Sequence, residues 1–136
     1  MTLDRRFLIW GLCYAVIGMA LGIYMAASQN HAQLVTHAHI LLLGFVVSFV
    51  YGLIHKLWLQ NPGRRIANLQ FVLHQAATIV TTGGLFLLYG GFVAEPPLEP
   101  VLGIGSVGVL LGMLLMLYMA VKFTGVRSGA AQQAVH

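Results

Sequence analysis

Residues 35–44 read Val35-Thr36-His37-Ala38-His39-Ile40-Leu41-Leu42-Leu43-Gly44, "VTHAHILLLG". Two imidazoles, one residue apart, stand at the head of an apolar run that continues to Leu59. The run is long enough to cross a bilayer, which takes about 20 apolar residues. Three others match it. Spans are predicted at residues 7–27, 34–59, 66–91 and 101–123. The segments "SQNHAQ" (28–33), "QNPGRR" (60–65) and "EPPLEP" (95–100) are expected to separate them, because Pro, Gly and polar residues interrupt helices. Of the 136 residues, 59% are hydrophobic and 7% charged. About 25% charged is usual for a soluble domain, and the few charges here cannot cover a water-facing surface. The expected fold is an all-α membrane protein, a single four-helix domain over 1–136 with no separate soluble domain.

The charges orient it. Arg5 and Arg6 precede the first span, Lys56, Arg64 and Arg65 flank the second turn, and Lys122 and Arg127 follow the fourth. Glu95 and Glu99 fall on the opposite side with no Lys or Arg. Basic residues stay on the cytoplasmic side of a membrane, so both termini are predicted to be cytoplasmic, in a plasma membrane of the bacterial inner type. The net charge of +4 comes from pairs scattered at segment ends and forms no nucleic-acid footprint. Cys13, the one cysteine, has no intramolecular partner. Arg5-Arg6, an apolar core and "MAAS" (25–28) loosely fit a signal peptide, but the apolar run is too long for one.

Ionisable groups inside a span point to function, because burying them unpaired is costly. His31 reads as a solvated loop residue, and His55 lies near the basic end beside Lys56. His37, His39 and His74 lie within spans. Successive residues of an α-helix turn by about 100°, so His37 and His39 point about 200° apart. They cannot both bind one metal ion from one regular helix. His37 shares a stripe with Gly44, Ser48 and His55. His39 shares one with Leu43, Val46, Val50 and Leu53. On the third span Gln70, His74, Thr78 and Thr81 form a polar stripe that should face the bundle or a cavity. His74 lies about 10 Å or more in depth from the two paired histidines and close to the level of His55. Small residues recur at Gly18/Gly22, Gly44/Ser48/Gly52 and Gly108/Gly112. Such pairs let helices approach closely, within one bundle or between protomers, and spacing alone leaves both open.

The run "THAHILLLGFVVSFVYGLIHKLW" (36–58) resembles the His-bearing helices of subunit I of the heme-copper oxidase superfamily, which includes nitric oxide reductases. The chain is also similar, over most of its length, to small four-helix proteins that carry "HAHxxLLG" and a later "LH". Here those are "HAHILLLG" and "VLHQ" (72–75). In the large subunits three four-helix arcs are related by pseudo-threefold symmetry, and a His-x-His on the second helix of one arc ligates two different hemes. The resemblance implies one such arc, completed as a homotrimer, with His37 and His39 as ligands of b-type heme iron. A bis-His heme has no open position, so electron transfer follows, with quinol or another respiratory electron carrier as partner. No His-Pro-Glu-Val-Tyr segment and no His-His pair is present, so an oxygen-reducing copper centre is not expected. Three other readings stand beside this one. A four-helix cytochrome would hold heme on His55 and His74 inside one bundle. A non-heme protein would use its histidines to bind a metal or small molecule. A structural membrane subunit would have no cofactor.

Overall fold

The computed structural model describes residues 1–124, so Arg127 and His136 lie outside the described residues. Four helices are long and apolar enough to span a membrane: α1 (Leu3–Ser28), α2 (Leu34–Leu57), α3 (Arg64–Tyr89) and α4 (Glu95–Phe123). No strand occurs among the described residues. Much of the outer surface is aliphatic, with Val16, Ile23, Ile104 and Val121 all exposed. That suits a lipid solvent, which exacts no hydrophobic cost for such side chains.

The fourth helix begins earlier than expected, at Glu95, because "EPPLEP" forms its first turns instead of a break. Ala94 caps it in extended conformation, Pro96 and Pro97 fall in the first turn, and Pro100 lies inside the helix. First-turn N–H groups have no intrahelical acceptor, so proline loses little there and its fixed φ suits the helix. Glu95 and Glu99 are therefore helical, although they remain at the end opposite the basic residues. A second departure lies inside α2. Residues Ile40–Val47 are wound as a π-helix between two α-helical parts. The wider i→i+5 turn begins directly after His39, and such segments are rare and frequently occur at functional sites.

The small-residue pairs are used within the bundle. A methyl group added at Gly18 would meet the Leu41 side chain at 2.6 Å, and one added at Gly22 would meet His37 Cε1 at 2.9 Å. Gly44 receives the Tyr14 ring and Gly52 lies against Phe7, so α1 and α2 pack closely along their whole length. On the other pair of helices Gly105 admits Thr81, Gly108 admits Ala77 and Gly112 lies against His74. The two pairs meet through a core at the basic end built on Phe7, Tyr51, Phe71, Met116 and Met119. Gln60 N–H donates to the Phe123 carbonyl (2.9 Å) and Arg6 donates to Asn68 Oδ1 (3.3 Å), which brings Arg5, Arg6, Lys56, Arg64, Arg65 and Lys122 to one end. At the far end Gln33 Nε2 donates to the Phe86 carbonyl (3.0 Å) and ties the start of α2 to the end of α3.

Candidate functional site

His37 and His39 lie in the first two turns of α2, at the far end. His37 Nδ1 is 2.8 Å from the Gly18 carbonyl on α1, and the half-buried ring lies over Gly22. His39 Nδ1 is 2.8 Å from the carbonyl of Val35, one turn back on its own helix. A carbonyl oxygen only accepts, so Nδ1 must carry the hydrogen in both rings. The neutral imidazole then holds its lone pair on Nε2. Among the described residues no hydrogen-bond partner meets either Nε2, and neither is sealed in the core. Metal-ligating histidines are commonly prepared in this way: the other ring nitrogen donates to a carbonyl or carboxylate, which fixes tautomer and ring orientation.

The two rings face different neighbours. The stripe of His37 runs down onto α1, where Gly44 and Ser48 are buried and His55 stacks on Phe7 at 5.4 Å between centroids. On the stripe of His39, Val46, Val50 and Leu53 are exposed. Each ring is thus anchored, each offers Nε2, and the two serve different sides of one helix.

His74 is the opposite case. It is 0% exposed, and its Nε2 pairs with Ser48 Oγ at 3.1 Å. Gln75 Nε2 donates to the same hydroxyl at 3.3 Å. The Tyr51 ring stands edge-on to the imidazole at 4.8 Å. Ser48 is eleven residues beyond His37, across the π-helical segment, so His74 lies more than about 10 Å deeper along α2. His55 and His74 flank the Phe7 ring, with centroids 5.4 and 6.3 Å from it. A heme held by both would have to displace Phe7, which is 0% exposed at the centre of the core. His31 is exposed in the loop after α1. Among the described residues no three of His, Cys, Asp or Glu converge on a point that could hold a bare metal ion.

The polar stripe of α3 is buried, as its periodicity predicts, and it is larger than the sequence suggests. Gln70, His74, Thr78 and Thr81 are joined by Gln75 and Thr82, by Ser48 and by Thr36, whose hydroxyl donates to Gln33 Oε1 at 2.6 Å. Among the described residues His74 Nδ1, Gln75 Oε1, Thr78 Oγ1 and Thr81 Oγ1 have no hydrogen-bond partner although all are buried, while the Gln70 side chain faces His55. Each such atom costs about 1–3 kcal/mol if it stays unpaired. Sequence reading missed Ser48, Gln75, Thr82 and Thr36 as members. Ser48 stands alone in an apolar run and only the fold brings it to His74, Thr36 is held by Gln33 within its own turn, Thr82 continues the four-residue period from Thr78, and Gln75 neighbours His74 but lies off that period.

No family model, curated protein or solved structure matches the chain. Its function rests on its own residues.

Proposed function

We propose that the chain is a b-type heme-binding membrane protein that carries electrons. In this reading it resembles one arc of subunit I of the heme-copper oxidases, and three copies assemble as a homotrimer. His37 of one protomer and His39 of its neighbour hold one heme iron. The observation that carries the reading is the pair of Nδ1–carbonyl hydrogen bonds, each 2.8 Å long. They leave two exposed-side Nε2 lone pairs with fixed orientation and no other task. Because the rings diverge by about 200°, a shared iron requires two chains. Rotational symmetry then gives each protomer one ligand to each of two sites, and a closed ring satisfies them all.

Heme bound by two histidines supplies one-electron transfer and has no open position for oxygen. The residues of this chain orient the ligands and exclude water. Gly22 admits the His37 ring, the Gly18 and Val35 carbonyls hold the tautomers, and the apolar surface around His39 faces lipid or a neighbouring copy. Quinol or another respiratory carrier is the partner class, in a plasma membrane of the bacterial inner type.

The test is the visible spectrum of the purified protein after expression with heme supply, together with its heme-to-chain ratio. A low-spin Soret spectrum at one heme per chain is expected. A protein that folds and carries no Soret band overturns the reading. Orientation is checked separately. With six described basic side chains at one end, that end belongs in the cytoplasm. In a Cys13→Ala background, Gln60→Cys should label from the cytoplasmic side and Ala94→Cys from the other. Labelling of both from one side defeats the assignment.

A further inference from the structure

We propose that the groove between α1 and α2 at the basic end binds an anionic phospholipid, with the phosphodiester between Arg5 and Lys56 and an acyl chain along Leu8, Leu53 and Phe49. The site lies at the opposite end of α2 from His37 and His39 and does not depend on heme.

The basic residues of this end are not alike. Arg6 lies over the Phe71 ring, 4.2 Å from its centroid, and donates to Asn68, so it is engaged within the bundle. Lys122 donates to the Tyr118 hydroxyl at 2.8 Å. Arg5 and Lys56 are exposed, and among the described residues no hydrogen bond engages either side chain. The two helices run antiparallel, so the start of α1 and the end of α2 bring both cations to one level. They line a cleft of about 350 Å³, within the range of small-ligand sites.

One carboxylate stands beside them and is already satisfied. Asp4 accepts from the Thr2 hydroxyl, from the Arg5 N–H and from its own N–H, with the Lys56 charge in electrostatic reach. It thereby serves the first turn of α1, whose N–H groups lack intrahelical acceptors. The helix end is closed by that carboxylate, which leaves the anion to the two side-chain cations. Two cations and one carboxylate give the cleft a net charge of +1, the complement of the single negative charge on a phosphodiester.

The wall below the charges is apolar. Leu8 and Leu53 stand three residues inward of Arg5 and Lys56, about 4.5 Å deeper, and Phe49 lies about 6 Å beyond Leu53. All three are exposed and line the cleft. Gly52 closes its back, where an added methyl group would meet the Asp4 carbonyl at 3.2 Å and Phe7 Cβ at 3.3 Å. The result is a groove open outward along its length, with charge at its mouth. A free anion would use the mouth alone, whereas a phospholipid uses all of it. Basic clefts between spans on the cytoplasmic side are where anionic headgroups bind, and the positive-inside rule puts this end there.

Leu53 also lies on the His39 stripe, so a neighbouring copy is the rival occupant. Charge decides against it. The chain has three acidic side chains. Glu95 and Glu99 lie at the far end and Asp4 is engaged. A second copy in the same orientation therefore brings no free carboxylate to Arg5 and Lys56, and a lipid phosphate supplies the missing anion.

The experiment mixes the delipidated full chain in detergent with equal amounts of phosphatidylglycerol and phosphatidylcholine of the same acyl chains. Native mass spectrometry reads the lipid retained. Phosphatidylglycerol should be favoured at least about fivefold, the effect of one basic residue facing an anionic lipid. The double variant Arg5→Gln/Lys56→Gln should bring the ratio close to one. Arg64→Gln/Arg65→Gln removes the same charge from the same end and should leave the ratio unchanged. If the first double variant fails to fold, Lys56→Gln alone, at an exposed side chain, carries the test and should lower the ratio. A wild-type ratio near one overturns the proposal. Equal loss in both double variants does so too, since it would mean a diffuse attraction without a site. Displacement of the lipid by inorganic phosphate at the same concentration would show an anion site that needs no acyl chain. An unchanged ratio in Arg5→Gln/Lys56→Gln with loss of protomers would give the groove to a second copy.

Discussion

The start of α2 and the middle of α3 treat the same side chain in opposite ways. At the start of α2 each imidazole gives its Nδ1 hydrogen to a carbonyl and keeps Nε2 open. In the middle of α3 the imidazole of His74 pairs Nε2 with a serine and turns Nδ1 into a sealed interior. Depth explains the contrast. A group near the end of a span can face a neighbour or a ligand, whereas one at mid-bundle must be satisfied within the fold. A histidine in a membrane helix is therefore not one kind of signal. In the proposed reading, a ligand differs from a buried polar group in keeping one ring nitrogen free of protein partners.

The largest effect expected from that contrast is loss of cofactor. His37→Ala and His39→Ala should each lower bound low-spin heme by more than about tenfold, since losing even a residue that only orients a ligand costs about 10–100-fold in metal affinity. His74→Leu and His31→Ala should leave the heme-to-chain ratio unchanged, apart from any loss of folded protein. Heme content by pyridine hemochromogen, normalised to folded protein, reads this directly. Stoichiometric six-coordinate heme in either alanine variant removes that residue from the ligand set. Loss in His74→Leu alone would invert the comparison and move the site to the interior.

Partial recovery comes next in size. Co-expression of His37→Ala and His39→Ala chains with different affinity tags yields mixed rings. A site survives where a chain that keeps His37 precedes one that keeps His39, so about a quarter of sites should regain heme under random mixing in a closed ring. Tandem purification through both tags isolates those assemblies. No recovery in them would mean that each heme is held within one chain.

A smaller effect is expected at a residue that is not a ligand. The Gly22→Ala methyl would lie 2.9 Å from His37 Cε1, so the ring must move and its bond to the Gly18 carbonyl must lengthen. Loss of such an orienting contact lowers metal affinity by about 10–100-fold at well-ordered sites. Here the low end is expected, because the ring is half-buried and can adjust. Heme titration of the apoprotein measures it, and an unchanged affinity would show that the tautomer lock does not matter.

The sequence is informative about these regions to different degrees. The four spans are legible because about twenty apolar residues in a row admit few other readings. The α3 stripe is legible because its polar residues repeat at helical spacing. "EPPLEP" misleads, since prolines that end one helix are equally suited to begin another. The π-helical turn after His39 has no residue signature at all, and Gly44 within it explains only the approach of Tyr14. Nor does any local pattern show which carbonyl an imidazole will meet. Gly18 is nineteen residues from His37, and the register of α1 on α2 alone brings them together.

The smallest effect separates glycines that the fold uses from those it does not. In Gly105→Ala the new methyl would meet Thr81 Oγ1, with the Thr81 backbone at 3.2 Å. Backbone cannot swing aside, so α3 and α4 must separate at a cost of about 1–3 kcal/mol, the usual range for overpacking. Gly83 is exposed on the outer side of α3, and a methyl group added there would find nothing within 4 Å. Within a single bundle Gly83→Ala should therefore stabilise by about 0.5–1 kcal/mol, the helix preference of alanine over glycine. Thermal unfolding in detergent compares the two, and native mass reports assembly in the same samples. If Gly83→Ala instead lowers stability and sheds protomers, a second copy covers that face of α3. The glycine would then belong to the contact between chains, and the far-end sites would have to be reached around it.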